Sequence, residues 1–197
     1  MEIGFHPTEF NCIRLDDFNG LLIDGDKDTV RLAASILPKR IQSLNLFVTL
    51  ENIAMLRSQN MALGVLSIDI DGNDYWILEA LLPMKPHVIA VEYNASFLLK
   101  PVTVPYDPVF ERHAKHPSGW YHGASITALA TLCGRNGYKL VAVASAGGNA
   151  FFALEESELA ALDPTTAYRE NALRNRWSKT TATEQWETIR GMPYIEV

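Results

Sequence analysis

Apolar and polar positions along this chain fall into two kinds of block. Short apolar runs of strand length alternate with stretches whose apolar residues recur three and four apart. Residues 20–24 (GLLID) form an apolar run that ends in an acidic, glycine-containing turn. A helical pattern follows, with Val30, Ala33, Ala34 and Leu37 on one face, Asp28 as the expected N-cap and Pro38 as the stop. Residues 44–50 (LNLFVTL) read as a strand, and 53–59 as a short helix. The strongest strand is 64–70 (GVLSIDI), followed by the turn Asp71-Gly72-Asn73 and a helix from Asp74 up to Pro83. Residues 86–92 (PHVIAVE) are apolar almost throughout, the signature of a strand buried on both faces of a parallel sheet.

Residues 93–121 carry four prolines and no period, so they read as a long loop, a length that in a compact domain usually serves function. Residues 125–135 are amphipathic, with Ser125 as N-cap and Gly137 closing the helix. Residues 138–144 and 149–154 form a hairpin around the tight turn 145–148. The remainder, 155–197, is mostly polar with helical stretches, and reads as a lid or packing arm.

This order predicts an α/β fold: a Rossmann-like three-layer sandwich with a mostly parallel sheet of about seven strands and a C-terminal antiparallel hairpin. The expected division is a domain over 1–154 with a helical arm, 155–197, packed on it. Such sheets bind ligands beyond the carboxyl ends of their strands. Acids recur there: Glu2 (with Gly4) after the first short run, then Asp24 and Asp26, Glu51, Asp69 and Asp71, and Glu92, which is followed by Asn94.

Composition changes the picture in one respect. With 197 residues, 48% hydrophobic and 20% charged, the chain is an ordinary single globular domain. Seventeen basic and 23 acidic residues give a net charge of −6, which argues against nucleic acid or an anionic membrane as partner. Acids gathered at strand ends make a negative pocket, and buried carboxylates without partners are costly. The expected occupant is therefore positive or rich in hydroxyls: a sulfonium cofactor with its ribose, or a divalent metal. Two cysteines, Cys12 and Cys133, form no disulfide framework. No stretch is apolar enough to span a bilayer, and the first residues lack the pattern of a leader, so a cytoplasmic protein is expected.

Three segments carry a family resemblance: Thr49-Leu50-Glu51, Ile68-Asp69-Ile70-Asp71-Gly72-Asn73-Asp74, and Pro86-His87-Val88-Ile89-Ala90-Val91-Glu92. In content and spacing they resemble the FkbM-type methyltransferases, a branch of the S-adenosylmethionine-dependent class I methyltransferases. The resemblance spans residues 1–154. It implies O-methylation of a small hydroxylated acceptor, such as a sugar or a natural-product or glycan precursor. Asp24 and Asp26 would then hold the cofactor ribose, Glu2, Gly4, Glu51 and Asp69 would complete the cofactor site, and Asp71, Glu92 and His122 would serve catalysis. Mg²⁺ held by Asp69, Asp71, Glu92 and Asn94 is a further possibility, since a metal lowers the pKa of a bound hydroxyl. The family's glycine-rich first turn is represented by Glu2-Ile3-Gly4-Phe5-His6-Pro7, with a single glycine. That departure keeps two alternatives open: a fold that binds a ligand or partner without methyl transfer, and metal-dependent chemistry of another kind.

The remaining signals are weaker. Asp69-x-Asp71 and Asp24-x-Asp26-x-Asp28 lack the position-six glycine of a calcium loop. His113 and His116 form H-x-x-H without the zincin glutamate and read as solvated loop residues. His122, just before a helix, is the best general-base candidate among the histidines. Cys133, Trp177 and Trp186 read as packing residues, and Arg169, Arg174 and Arg176 as a solvated helix face.

Overall fold

Pro38 stops the first helix as expected, and the chain then returns alongside its first strand. β1 (Gly20–Asp24) and β2 (Ile41–Asn45) pair in parallel with Gly20 opposite Ile41, joined by α1 (Lys27–Ile36). The structure is a computed structural model that describes residues 19–57 and 63–197. The N-cap of α1 is Asp26 rather than Asp28: its Oδ1 accepts the backbone N–H groups of Asp28 and Thr29 at 3.0 and 2.8 Å. The second strand lies earlier than the apolar run 44–50 predicts. After Asn45 the chain turns away, with Leu46 N–H bonded to the Asp24 carbonyl and Phe47 laid over Gly25. Backbone register with β1 decides the strand, and Phe47 is left exposed.

The contacts divide the chain between Ile53 and Ala54, and the second unit is the larger. It begins with a one-turn helix, α2 (Ala54–Arg57). β3 (Val65–Ile68) leads through a tight turn into α3 (Asp74–Leu81), and β4 (Val88–Glu92) lies parallel to β3. The segment after β4 contains a 3₁₀ turn (Ala95–Phe97), a short β5 (Val102–Thr103) and a one-turn α4 (Arg112–Lys115). α5 (Ile126–Arg135) is capped by Ser125, whose Oγ accepts Ala128 N–H at 3.0 Å, a bond worth about 1 kcal/mol. Gly137, at φ +82°, makes the turn into β6 (Tyr138–Val143). β7 (Asn149–Leu154) returns antiparallel to β6 and inserts beside β4, giving the order β3-β4-β7-β6.

The fold is thus mixed α/β with the expected hairpin, but the sheets are smaller than the sequence pattern predicts. Among the described residues they have two, four and two strands, rather than one sheet of about seven. Apolar periodicity identifies strands; it does not say which strands pair. Because β4 lies between β3 and β7, Ile89 and Val91 are fully buried, which accounts for its apolar run. Leu78, Ile126, Leu129 and Phe152 share that core, each worth about 1.5–3 kcal/mol of burial.

The C-terminal segment belongs to the same unit as β3 to β7. It forms α6 (Pro164–Ala167), α7 (Ala172–Ser178), α8 (Ala182–Ile189) and β8 (Ile195–Glu196), the last antiparallel to β5. Tyr194 packs edge-on against Phe97 and Tyr121, with ring centroids 5.3 and 5.4 Å away, and lies tilted against Trp186. Trp186 thus anchors the segment, whereas Trp177 is exposed. Cys133 is buried in α5, as its apolar position predicts, and Cys12 lies outside the described residues. Among the described residues no helix is long and apolar enough to cross a membrane.

Candidate functional site

The richest chemistry lies at the carboxyl end of β4. Glu92 ends that strand, and the four residues after it all bond to the C-terminal segment. Tyr93 Oη donates to the Arg169 carbonyl at 2.5 Å, and Tyr168 Oη donates to the Ala95 carbonyl at 2.8 Å. Asn94 Oδ1 accepts from Arg174 Nη1 at 2.7 Å, and Ser96 Oγ donates to Gln185 Oε1 at 2.6 Å. The same Asn94 also donates from Nδ2 to the carbonyls of Trp120 and His122, at 2.6 and 2.8 Å. One side chain therefore ties together the end of β4, the loop before α5 and α7.

That loop delivers His122. Gly123, at φ +63°, turns the chain behind it and donates its N–H to the Gly72 carbonyl at 3.1 Å. His122 is completely buried, and its Nδ1 lies 3.6 Å from Glu92 Oε2. Neither of these two buried atoms has a hydrogen-bond partner. The opposite ring nitrogen, Nε2, faces two guanidinium groups: Arg112 Nη2 at 3.1 Å and Arg174 Nη2 at 3.0 Å. Arg112 also pairs with the Asp71 carboxylate and bonds the Gly119 carbonyl, while Arg174 Nη2 stands 3.9 Å from Glu92 Oε1. Arg174, read from sequence as part of a solvated face, is in fact largely buried, because Asn94, Ser96 and Glu92 supply its partners.

The turn after β3 brings in the acids. Asp74 is fully buried and accepts the N–H groups of Ile70 and Gly72, both at 3.0 Å. Asp71 adopts φ +60°, a left-handed conformation that Asp tolerates better than most residues, and presents its exposed carboxylate to Arg112. Ligand atoms of Asp71, Glu92 and His122 lie within 4.8 Å of one another, and so do those of Asp69, Asp74 and Glu92.

Electrostatics follow from this crowding. Burial, then the charges of Asp69 and Asp74, push the Glu92 carboxyl well above the usual carboxylate range; Arg174 opposes them and does not win. Burial, then Arg112 and Arg174, hold His122 well below the ordinary histidine value, so its ring is neutral. Asp74 is also raised by burial, against the pull of its backbone bonds.

The sequence-predicted residues thus fall into three groups. Asp69, Asp71, Glu92, Asn94 and His122 come together in the second unit. Asp24, Asp26 and Glu51 lie in the first unit. There Asp24, at the end of β1, accepts Asp26 N–H at 2.7 Å, and Asp26 caps α1, which accounts for its lowered pKa. Glu2 and Gly4 lie outside the described residues.

One expectation changes at this point. Asn94 is not suited to hold metal, since both its amide ends are already engaged by Ser96, Arg174, Trp120 and His122. The all-carboxylate set of Asp69, Asp74 and Glu92 suits a hard cation better, and a cation there would relieve the repulsion that raises Glu92.

Sequence reasoning gave no role to Arg112, Asp74 or Gln185 and took Arg174 for a solvated residue. Asp74 carried a usable signal in the spacing Asp69-x-Asp71-x-x-Asp74; the two arginines carried none, since their burial depends on partners far along the chain. Compared with protein-family models, with curated proteins and with solved structures, the chain has no match.

Proposed function

We propose that this protein is an S-adenosylmethionine-dependent O-methyltransferase acting on a small hydroxylated acceptor, on a Rossmann-like fold. The observation that carries this reading is the pair Glu92 Oε2 and His122 Nδ1, two buried atoms 3.6 Å apart at a strand's carboxyl end, neither with a hydrogen-bond partner. A hydroxyl oxygen seated beside the pair, about 2.8 Å from each atom, would donate its hydrogen to Glu92 and accept the Nδ1–H of His122. Both orphaned groups would then be satisfied, which is worth about 1–3 kcal/mol for each.

When bound, S-adenosylmethionine supplies an electrophilic methyl carbon and leaves as the thioether. The acid-rich end of β3 fits the positive sulfonium. The remaining chemistry is the chain's own. Glu92, raised by burial and by Asp69 and Asp74, is a base strong enough to take the acceptor proton as the oxygen–carbon bond forms. His122 holds the same oxygen through Nδ1–H, and its depressed pKa keeps it from competing for the proton. The C-terminal segment, tied to residues 93–96, shields the site from water. Methyl transfer from isotopically labelled S-adenosylmethionine to a panel of sugars and phenols tests the proposal. Glu92→Gln should lower kcat by about 100- to 10,000-fold. Equal rates in variant and wild type would remove Glu92 from the mechanism.

The cluster of Asp69, Asp74 and Glu92 favours a second reading, in which Mg²⁺ sits at the same strand ends and orients the acceptor. Calorimetric titration with Mg²⁺, repeated on Asp69→Asn, tests it: saturable binding that the variant loses supports it, and absence of heat in the wild type rejects it.

A further inference from the structure

The geometry points to Arg112 and Arg174 as positioning residues that hold the His122 ring in the tautomer with its proton on Nδ1, facing Glu92. They come from distant parts of the chain: Arg112 from the one-turn helix α4, Arg174 from α7 in the C-terminal segment. Both place a guanidinium N–H on the same atom, His122 Nε2, at 3.1 and 3.0 Å. A guanidinium has donors and no acceptor, so each contact is a bond only when Nε2 offers its lone pair. A single lone pair shared by two cations leaves no room for a proton there. The bond made by one ring nitrogen fixes the state of the other.

Each arginine is itself braced. Arg112 Nε bonds the Gly119 carbonyl at 3.0 Å, and its Nη1 meets Asp71. Arg174 Nη1 bonds Asn94 Oδ1 at 2.7 Å and Ser96 Oγ at 3.0 Å. The ring is held from its backbone too, by Asn94 Nδ2 on the His122 carbonyl at 2.8 Å. His122 is thereby a fixed hydrogen-bond donor toward Glu92, and its Nε2 face is closed to substrate. This assigns the general-base role to Glu92 alone. It also makes the site dependent on the C-terminal segment, which supplies one of the two clamps. The catalytic meaning rests on the acceptor seat proposed above; the tautomer does not.

The test is a long-range proton–nitrogen correlation spectrum of the ¹⁵N-labelled full chain at neutral pH. The five histidines are distinguished through their own side-chain correlations. His122 should show a protonated, pyrrole-like Nδ1 and a bare, pyridine-like Nε2. In the Arg112→Met/Arg174→Met double variant the ring should change to the Nε2–H form or to an average of the two. A wild-type ring protonated on Nε2 overturns the inference without recourse to any variant. So does a folded double variant that keeps the wild-type pattern. Neither spectrum requires a cofactor, so a failure of S-adenosylmethionine to bind would refute the methyltransferase reading and leave the tautomer result standing.

Discussion

Replacing Glu92 with glutamine should make the protein more stable at alkaline pH, and the gain should grow with pH. Glutamine keeps the shape and removes the charge that β4 carries into the interior. The sign follows from linkage. The folded-state pKa of Glu92 is raised above its ordinary 4.5, first by burial and then by Asp69 and Asp74. The folded state therefore binds this proton more tightly than the unfolded chain, and stability falls as pH rises. The contribution of Glu92 is fully present below about pH 4.5 and is lost as pH climbs through its folded pKa. One proton limits the slope of the difference between variant and wild type to about 1.4 kcal/mol per pH unit.

The opposing loss is the attraction to Arg174. At 3.9 Å that contact is too long for a hydrogen bond, and Arg174 keeps Asn94 and Ser96 as partners, so removal of the carboxylate leaves it anchored. His122 contributes with the opposite sign: its lowered pKa costs stability as pH falls below its ordinary 6.5. Above about pH 7.5 the ring is neutral in the folded and the unfolded chain alike, so the difference there reports Glu92. The assay is urea unfolding followed by circular dichroism between pH 4.5 and 8.5, with EDTA present so that no metal neutralises the site. Parallel curves for the two proteins, or a variant that loses stability as pH rises, would refute the account of a strained carboxylate.

Other variants probe the scaffold around the site. Asn94→Ala removes four hydrogen bonds and strands the carbonyls of Trp120 and His122; a loss of about 3–5 kcal/mol is expected by urea unfolding, and a loss under 1 kcal/mol would show that water replaces the amide. Gln185→Leu breaks the buried bonds to Ser96, Asn175 and Thr180 and should cost about 2–4 kcal/mol, with faster proteolysis of the C-terminal segment than of the sheet as the second readout. Gly147→Ala places a methyl group against the Glu170 backbone at a residue with φ +77°, so a loss of about 2–3 kcal/mol, read as a lowered thermal midpoint, is expected, and an unchanged midpoint would contradict the close approach.

The legible part of this molecule is local. Ser125 and Gly137 bracket α5 because a cap and a left-handed turn need particular residue types at particular positions. The runs of β3 and β4 and the hairpin of β6 and β7 were legible because period and turn chemistry are written within a few residues. Pairing is another matter. Residues 44–50 look more strand-like than 41–45, yet the latter pair with β1, since backbone register outweighs side-chain propensity. Glu92 and His122 were visible as chemistry, at a strand end and before a helix. Their environment was not visible, because it depends on Arg174, some 80 residues beyond Asn94, to which it bonds. An arginine in a polar stretch looks solvated until its partners are known.

The most direct test of the central claim is calorimetric titration of S-adenosylmethionine into the full-length protein. The account predicts saturable binding at one site per chain, weakened about tenfold or more by Asp69→Ala, the change at the carboxyl end of β3. Absence of binding up to about millimolar concentration, in a protein shown to be folded, would contradict it.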